Sequence, residues 1–365
     1  MAAGLEESDV RYATGFTAPD PFILLVEGFN LHLLVSAMEA ARARRTCPNA
    51  MVYTPADLFA GASTRRRSFS DQILILLLRL DCRIVRVGPS FPVGIVRTLE
   101  QAGVTIHVDS SPPFPSRALK TPAEIAAIIR SQRAAVAAMK AAVGILRTAE
   151  ITPSGYLKSE GKTLTSERIK LEIERTLLDR HCTATGTIVA IGPQGARPHD
   201  EGEGPVRAHV PVVIDIFPRH RASGYWGDIT RTVVRGKAVP EVRRLHRTVR
   251  KAQQHALDMI RPGVESRAVQ TAVERFFLES GYETRLGPAG EESGFIHSVG
   301  HGLGLDVHES PGLRNEPGRL SAGNVVTVEP GLYLPGLGGV RMEDTVAVTD
   351  TGYKILATFP KMLEI

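Results

Sequence analysis

The chain has 365 residues, 43% hydrophobic and 23% charged, which excludes large-scale disorder and leaves room for two domains with a core each. Its formal net charge of +5 is carried by scattered arginines, as in Arg42 to Arg45 and Arg65 to Arg67; such short runs predict solvated faces and no nucleic-acid partner. The cysteines Cys47, Cys82 and Cys182 form no Cys-x-x-Cys pair, so neither a thiolate metal site nor a disulfide framework is expected.

The first residues show no basic segment followed by an apolar one, and the longest apolar run, Ile73 to Leu78, is too short to span a bilayer. A cytoplasmic protein without a membrane anchor is expected. From Phe22 to Val108, apolar runs (FILLV, AMVYT, RIVRVG, VTIHV) alternate with helix-like segments (LHLLVSAMEAARA, DQILILLLRL, VGIVRTLEQAG), the pattern of an α/β domain. The Pro- and Ser-rich stretch Asp109 to Ser116 predicts a linker, which gives an N-terminal domain at 1–116 and a second at 117–365.

Next, Thr121 as N-cap, Pro122 at the first helical position and Glu124 completing a capping box open a long helix. Further helices are predicted over 166–180, 240–260 and 266–281. Strands are predicted over 186–192, 211–217, 228–234, 324–334 and 339–349. With no regular βαβ period, the second domain is expected to be α+β.

Two of these strand pairs carry carboxylates where apolar residues belong. Asp215 interrupts PVVIDIF and Asp228 opens DITRTVV; Glu329 and Glu343 occupy strands joined by the turn PGLGG. Across antiparallel hairpins the members of each pair can face each other. Either member could instead point to solvent or pair with Arg231 or Arg341. If all four converge, repulsion of roughly 4 kcal/mol per pair at 4 Å, at an effective dielectric near 20, demands counter-charge. Two divalent cations would supply it, and His301, flanked by Gly300 and Gly302, could add one nitrogen ligand.

The motif order VVID, GDITRT, GHGLGLDVHE, TVEPGLY, GGVRMED resembles the pita-bread-fold metallopeptidases, the family of methionine aminopeptidase, aminopeptidase P and prolidase. The resemblance implies a C-terminal pita-bread (creatinase/aminopeptidase) domain after a smaller N-terminal α/β creatinase-like domain, shortened at its start. It implies two divalent metal ions, manganese first with cobalt, zinc or iron as alternatives, on Asp215, Asp228, His301, Glu329 and Glu343. Glu329 would serve proton transfer; His297 and His308 would act on the scissile amide, with His199 also near the substrate. Thr230 and Arg341 would orient the carboxylates, and Arg314 or Arg319 would take the carboxylate of a dipeptide.

The junction RALKTPAEIAAIIRSQRAA resembles that of prolidases and aminopeptidase P, so the implied substrate is a peptide with proline in second position and the implied assembly a homodimer. A methionine aminopeptidase-like exopeptidase and a non-catalytic pita-bread binding module are the alternatives. The two aspartates, 13 residues apart, stand further apart than the family usually spaces them.

Overall fold

A computed structural model describes residues 2–3, 8–59, 68–287 and 290–365; the run Arg65 to Arg67 lies outside the described residues. The chain divides into two compact units, Met1–Pro115 and Ser116–Ile365. No helix among the described residues is long and apolar enough to cross a membrane.

In the first unit, Phe22–Glu27 pairs antiparallel with Asn30–Leu34, which pairs parallel with Ala50–Tyr53. Ile84–Val87 and Thr105–Val108 form a separate parallel pair. The segment from Leu31 is thus a strand before it is a helix, against the expected helix-like reading. Leu33 and Leu34 are both fully buried, one in each of the two hydrophobic clusters. A run buried on both faces has no period that separates strand from helix. The deciding feature is the tight turn at Gly28, whose φ of 57° suits a residue without a Cβ.

In the second unit, helix α1 (Pro122–Thr148) starts at the expected box: the Thr121 hydroxyl accepts from Glu124 N, and Glu124 accepts from Thr121 N. Its buried row (Ala127, Ile128, Ser131, Ala135, Ala138, Met139, Ala142, Leu146) follows three- and four-residue spacing. Helices α2 (Ser166–Leu178), α3 (Pro240–Met259) and α4 (Ser266–Glu279) also match expectation. Each fully buried Leu or Ile contributes about 1.5–3 kcal/mol.

Three antiparallel sheets carry the site. The first has β1 (Ile188–Ile191), β2 (Val212–Ile216) and β3 (Ile229–Val233) in that order. In the second, β4 (Gly300–Gly302) lies between β5 (Glu309–Leu313) and β6 (Val325–Val328). The third is the hairpin β7 (Gly331–Leu334) and β8 (Gly338–Arg341). Strands β9 (Asp344–Val348) and β10 (Tyr353–Ile355) extend the second sheet from β6.

The segments expected as continuous strands at 324–334 and 339–349 are each divided between two sheets. Pairing of β6 with β9 and of β7 with β8 keeps one register, Val328 with Asp344 and Gly331 with Arg341. The interruption falls at Glu329–Pro330 and Met342–Glu343. Pro330 has no N–H to give, Glu329 N donates to the Val299 carbonyl, and Glu343 N donates to the Thr230 carbonyl. Both glutamates therefore sit opposite each other at the seam between sheets.

Candidate metal centre

Asp215 lies on β2 in register with Thr230, not with Asp228. Asp228 precedes β3, so the two aspartates are diagonal neighbours on one face instead of directly opposed as the sequence suggested. The Asp228 backbone is clamped from α1: Gln132 Nε2 donates to its carbonyl at 2.6 Å, and its N–H donates to Gln132 Oε1 at 2.7 Å. Thr345 Oγ1 donates to the same carbonyl at 2.9 Å. Thr230 Oγ1 donates to Glu343 Oε2 at 2.8 Å, and Thr327 Oγ1 donates to Glu329 Oε1 at 3.1 Å.

His301 sits in the middle of β4. Its Nδ1 is 3.2 Å from the Gly302 carbonyl, which can only accept, so Nδ1 carries a proton and Nε2 is the nitrogen turned to the carboxylates. Nε2 lies 3.1 Å from Glu329 Oε1 and 3.7 Å from Asp228 Oδ2. Ligand atoms of Asp228, His301 and Glu343 all lie within 4.8 Å of one another. A Cβ on Gly300 or Gly302 would collide with the backbone carbonyl of Thr327 or Glu309 respectively. The two glycines thus permit close strand approach.

The electrostatics leave the cluster short of positive charge. Arg341 Nη2 is 2.5 Å from Asp215 Oδ2, and Arg341 Nε donates to Thr230 at 3.3 Å. Arg231 is spent on Asp344 and on the Phe359, Thr230 and Glu343 carbonyls, not on a carboxylate of the cluster. Burial, then the charges of Glu343 and Asp215, hold the Asp228 carboxyl well above its usual range; burial, then Glu329 and Asp215, do the same to Glu343. Burial, the largest single influence, pulls Glu329 upward too, but its hydrogen bond to His301, that ring's charge and the further positive charge of its surroundings, Arg341 included, together bring it down to about 2.

Three buried oxygens, Asp215 Oδ1, Asp228 Oδ1 and Glu343 Oε1, have no protein partner. Orphaned carboxylate oxygens beside an imidazole nitrogen fit a divalent cation.

The cluster forms one end of a cavity of roughly 860 Å³ that also exposes His199, His297, His308 and Arg314. The His308 ring stands edge-on to His301 with centroids 4.3 Å apart. His297, at the cavity wall, has both ring nitrogens engaged: Nδ1 donates to the Ser298 carbonyl at 2.7 Å, and Nε2 accepts from the Tyr333 hydroxyl at 2.8 Å. Burial lowers its pKa, which suits a neutral ring. Tyr333 in turn accepts from Arg341 Nη1 at 2.9 Å.

Arg319 is not at the cavity; it binds Glu265 at 2.6 Å and the Gly263 carbonyl at 2.7 Å. Of the two expected arginines, Arg314 is the one that lines the cavity, paired with Glu316 at 2.9 Å.

Gln132, Thr327, Thr345 and Tyr333 escaped the sequence reading. Gln132 and Ser131 left one signal, two adjacent polar residues on the apolar stripe of α1, both fully buried. The tyrosine in PGLYL reads as core, and it is buried, with only its hydroxyl serving the site.

Residues 126–350 match metallopeptidase family M24. The Xaa-Pro dipeptidase of Pyrococcus furiosus is 34% identical over 242 residues, 66% of this chain and 63% of that protein. The Xaa-Pro dipeptidase of Lactobacillus delbrueckii subsp. lactis is 34% identical over 188 residues, 50% of this chain and 47% of its relative. The chain thus matches less than two thirds of the length of either. In three dimensions, the prolidase from Pyrococcus furiosus superposes with a TM-score of 0.79 and 26% identity, covering 97% of this chain and 94% of that one.

Proposed function

Since the chain belongs to metallopeptidase family M24 and has the pita-bread fold of its prolidase neighbours, we propose that it hydrolyses the peptide bond before proline, releasing the N-terminal residue. The preferred substrate is an Xaa-Pro dipeptide. The observation that carries this reading is the set of orphaned oxygens on Asp215, Asp228 and Glu343 around His301 Nε2. With Glu329, these residues would hold two divalent cations, manganese first.

Bound cations would offset the charge of the four carboxylates and supply hydroxide near neutral pH. Glu329, 3.1 Å from His301, moves the proton between the attacking water and the leaving prolyl nitrogen. His308, exposed at the cavity, binds the scissile carbonyl and stabilises its oxyanion, worth about 3–4 kcal/mol for one well-placed donor. His297 keeps Tyr333 and, through it, Arg341 in place. His199 lines the substrate side, and Arg314 takes the free carboxylate behind the proline. The bond before proline is a tertiary amide without N–H, so no acceptor is needed for it.

The test is turnover, by manganese-loaded protein, of a Met-Ala peptide, an Xaa-Pro dipeptide and an Xaa-Pro-Yaa tripeptide. The dipeptide is expected to be cleaved fastest and Met-Ala least. Preference for Met-Ala would move the chain to methionine aminopeptidase chemistry, and no turnover with manganese, cobalt, zinc or iron would leave a binding module. Glu329→Gln is expected to lower kcat by about 10²-fold or more; wild-type turnover would remove Glu329 from proton transfer.

A further inference from the structure

Glu309 follows His308 directly, yet it takes no part in the cation cluster, because both its carboxylate oxygens are occupied from the segment preceding α1. Lys120 Nζ lies 2.7 Å from Oε1, Arg117 Nη2 lies 2.7 Å from Oε2, and the same Arg117 nitrogen meets Asp306 Oδ2 at 2.8 Å. The Lys120 side chain is 1% exposed and that of Glu309 9%. Buried pairs return little net stability against apolar residues of the same volume, so stability alone is a poor account of four charges gathered here. What they define is the geometry of a loop.

That loop runs from 303 to 309. Asp306 N donates to Glu309 Oε2 at 3.2 Å, folding the loop around the carboxylate. Gly304 lies under it, where a Cβ would collide with the Glu309 carboxylate. Trp226 holds the other flank, its ring N–H donating to the Leu305 carbonyl at 2.9 Å and its backbone N–H to the Gly304 carbonyl at 2.9 Å. The residue left exposed by this arrangement is His308, edge-on to His301.

We propose that Arg117 and Lys120 are positioning residues, which hold His308 over the centre by gripping Glu309 and Asp306. This rests on the peptidase reading, in which His308 binds the scissile carbonyl, and names what sets that ring's place. Neither cation touches substrate; each acts through Glu309.

The test is a cycle in manganese-loaded protein with Lys120→Met made in the wild-type and His308→Ala backgrounds. In the wild type, kcat/KM for the Xaa-Pro dipeptide is expected to fall about 10- to 100-fold, the scale of an ångström-level misplacement. In the His308→Ala background the further loss is expected to stay under about twofold, because residues acting through one another are not additive. Lys120→Arg is expected to recover most of the rate. Wild-type activity in Lys120→Met, or the same fold loss in both backgrounds, would overturn the proposal.

If Lys120→Met does not fold, Glu309→Gln, which keeps one oxygen for the two cations, carries the same comparison. An arm independent of peptidase activity uses histidine-labelled, cation-free protein. The His308 ring is expected to show one NMR signal in contact with His301, lost or broadened in Lys120→Met while the His297 signal stays. An unchanged His308 signal would sink the positioning role whatever the substrate is.

Discussion

Arg314 and Arg319 stand five positions apart in one loop, GLRNEPGRL, and are equivalent by composition and spacing. What separates them is where the chain carries them: Arg319 to Glu265 and the Gly263 carbonyl, Arg314 to the wall of the cavity. Arg314→Ala is therefore expected to raise KM for an Xaa-Pro dipeptide about tenfold, the value of one charge-assisted hydrogen bond of about 1.5 kcal/mol. Arg319→Ala is expected to leave KM unchanged. Steady-state kinetics of both variants check this, and the reverse pattern would return the carboxylate to Arg319. At the same scale the carboxylates were legible, because a charged residue inside an apolar strand has few uses, and four of them need counter-charge. The state of His297 was not, since it depends on a hydroxyl 36 residues away, Tyr333.

The elements show a similar division. The capping box of α1 was readable because its partners are three residues apart, whereas the breaks at Glu329 and Glu343 depend on bonds to Val299, just before β4, and to Thr230 in β3. Gln132 of α1 joins these levels, since a single buried amide on a helix stripe fixes the backbone of Asp228. Gln132→Leu leaves that buried carbonyl with Thr345 alone and the N–H with nothing; the expected loss is about 1–3 kcal/mol of stability, and cation affinity is expected to drop about 10- to 100-fold. Denaturant titration and calorimetric titration with manganese measure the two, and unaltered cation affinity would limit Gln132 to packing.

Helix α3 carries a different consequence. His246 is buried, with Arg250 and Arg231 nearby, and burial, then those charges, take its pKa down to about 4. The unfolded ring binds its proton near 6.5. The folded state is therefore at full strength above that pH, loses stability as pH falls toward about 4, and loses no more below. The loss over that window is roughly 2–3 kcal/mol. His246→Gln is expected to flatten this part of a stability-against-pH curve, and an unchanged slope between pH 6.5 and 4 would show that other groups set the acid limb.

For the whole molecule, the α+β character of the second unit was legible from four helices and an irregular run of strands. The first unit was legible only in outline, because strands such as Asn30–Leu34 are buried on both faces. The two units also differ in what a cation should do. Every residue of the centre lies in Ser116–Ile365, where burial and mutual repulsion hold Asp228 and Glu343 far from their ordinary ionisation. A cation that binds the folded centre and not the unfolded chain adds stability by mass action, about 2.7 kcal/mol at a hundredfold excess over its Kd. Adding manganese to chelator-treated protein is thus expected to raise the unfolding midpoint. Hydrogen exchange should slow at β2, β3, β6 and β9, whose backbones carry or flank the carboxylates, and stay as it was in Phe22–Glu27 and Asn30–Leu34 of the first unit. Equal slowing in both units would mean that the cation acts on the chain at large, and no slowing at β2 and β3 would mean that Asp215 and Asp228 do not hold it.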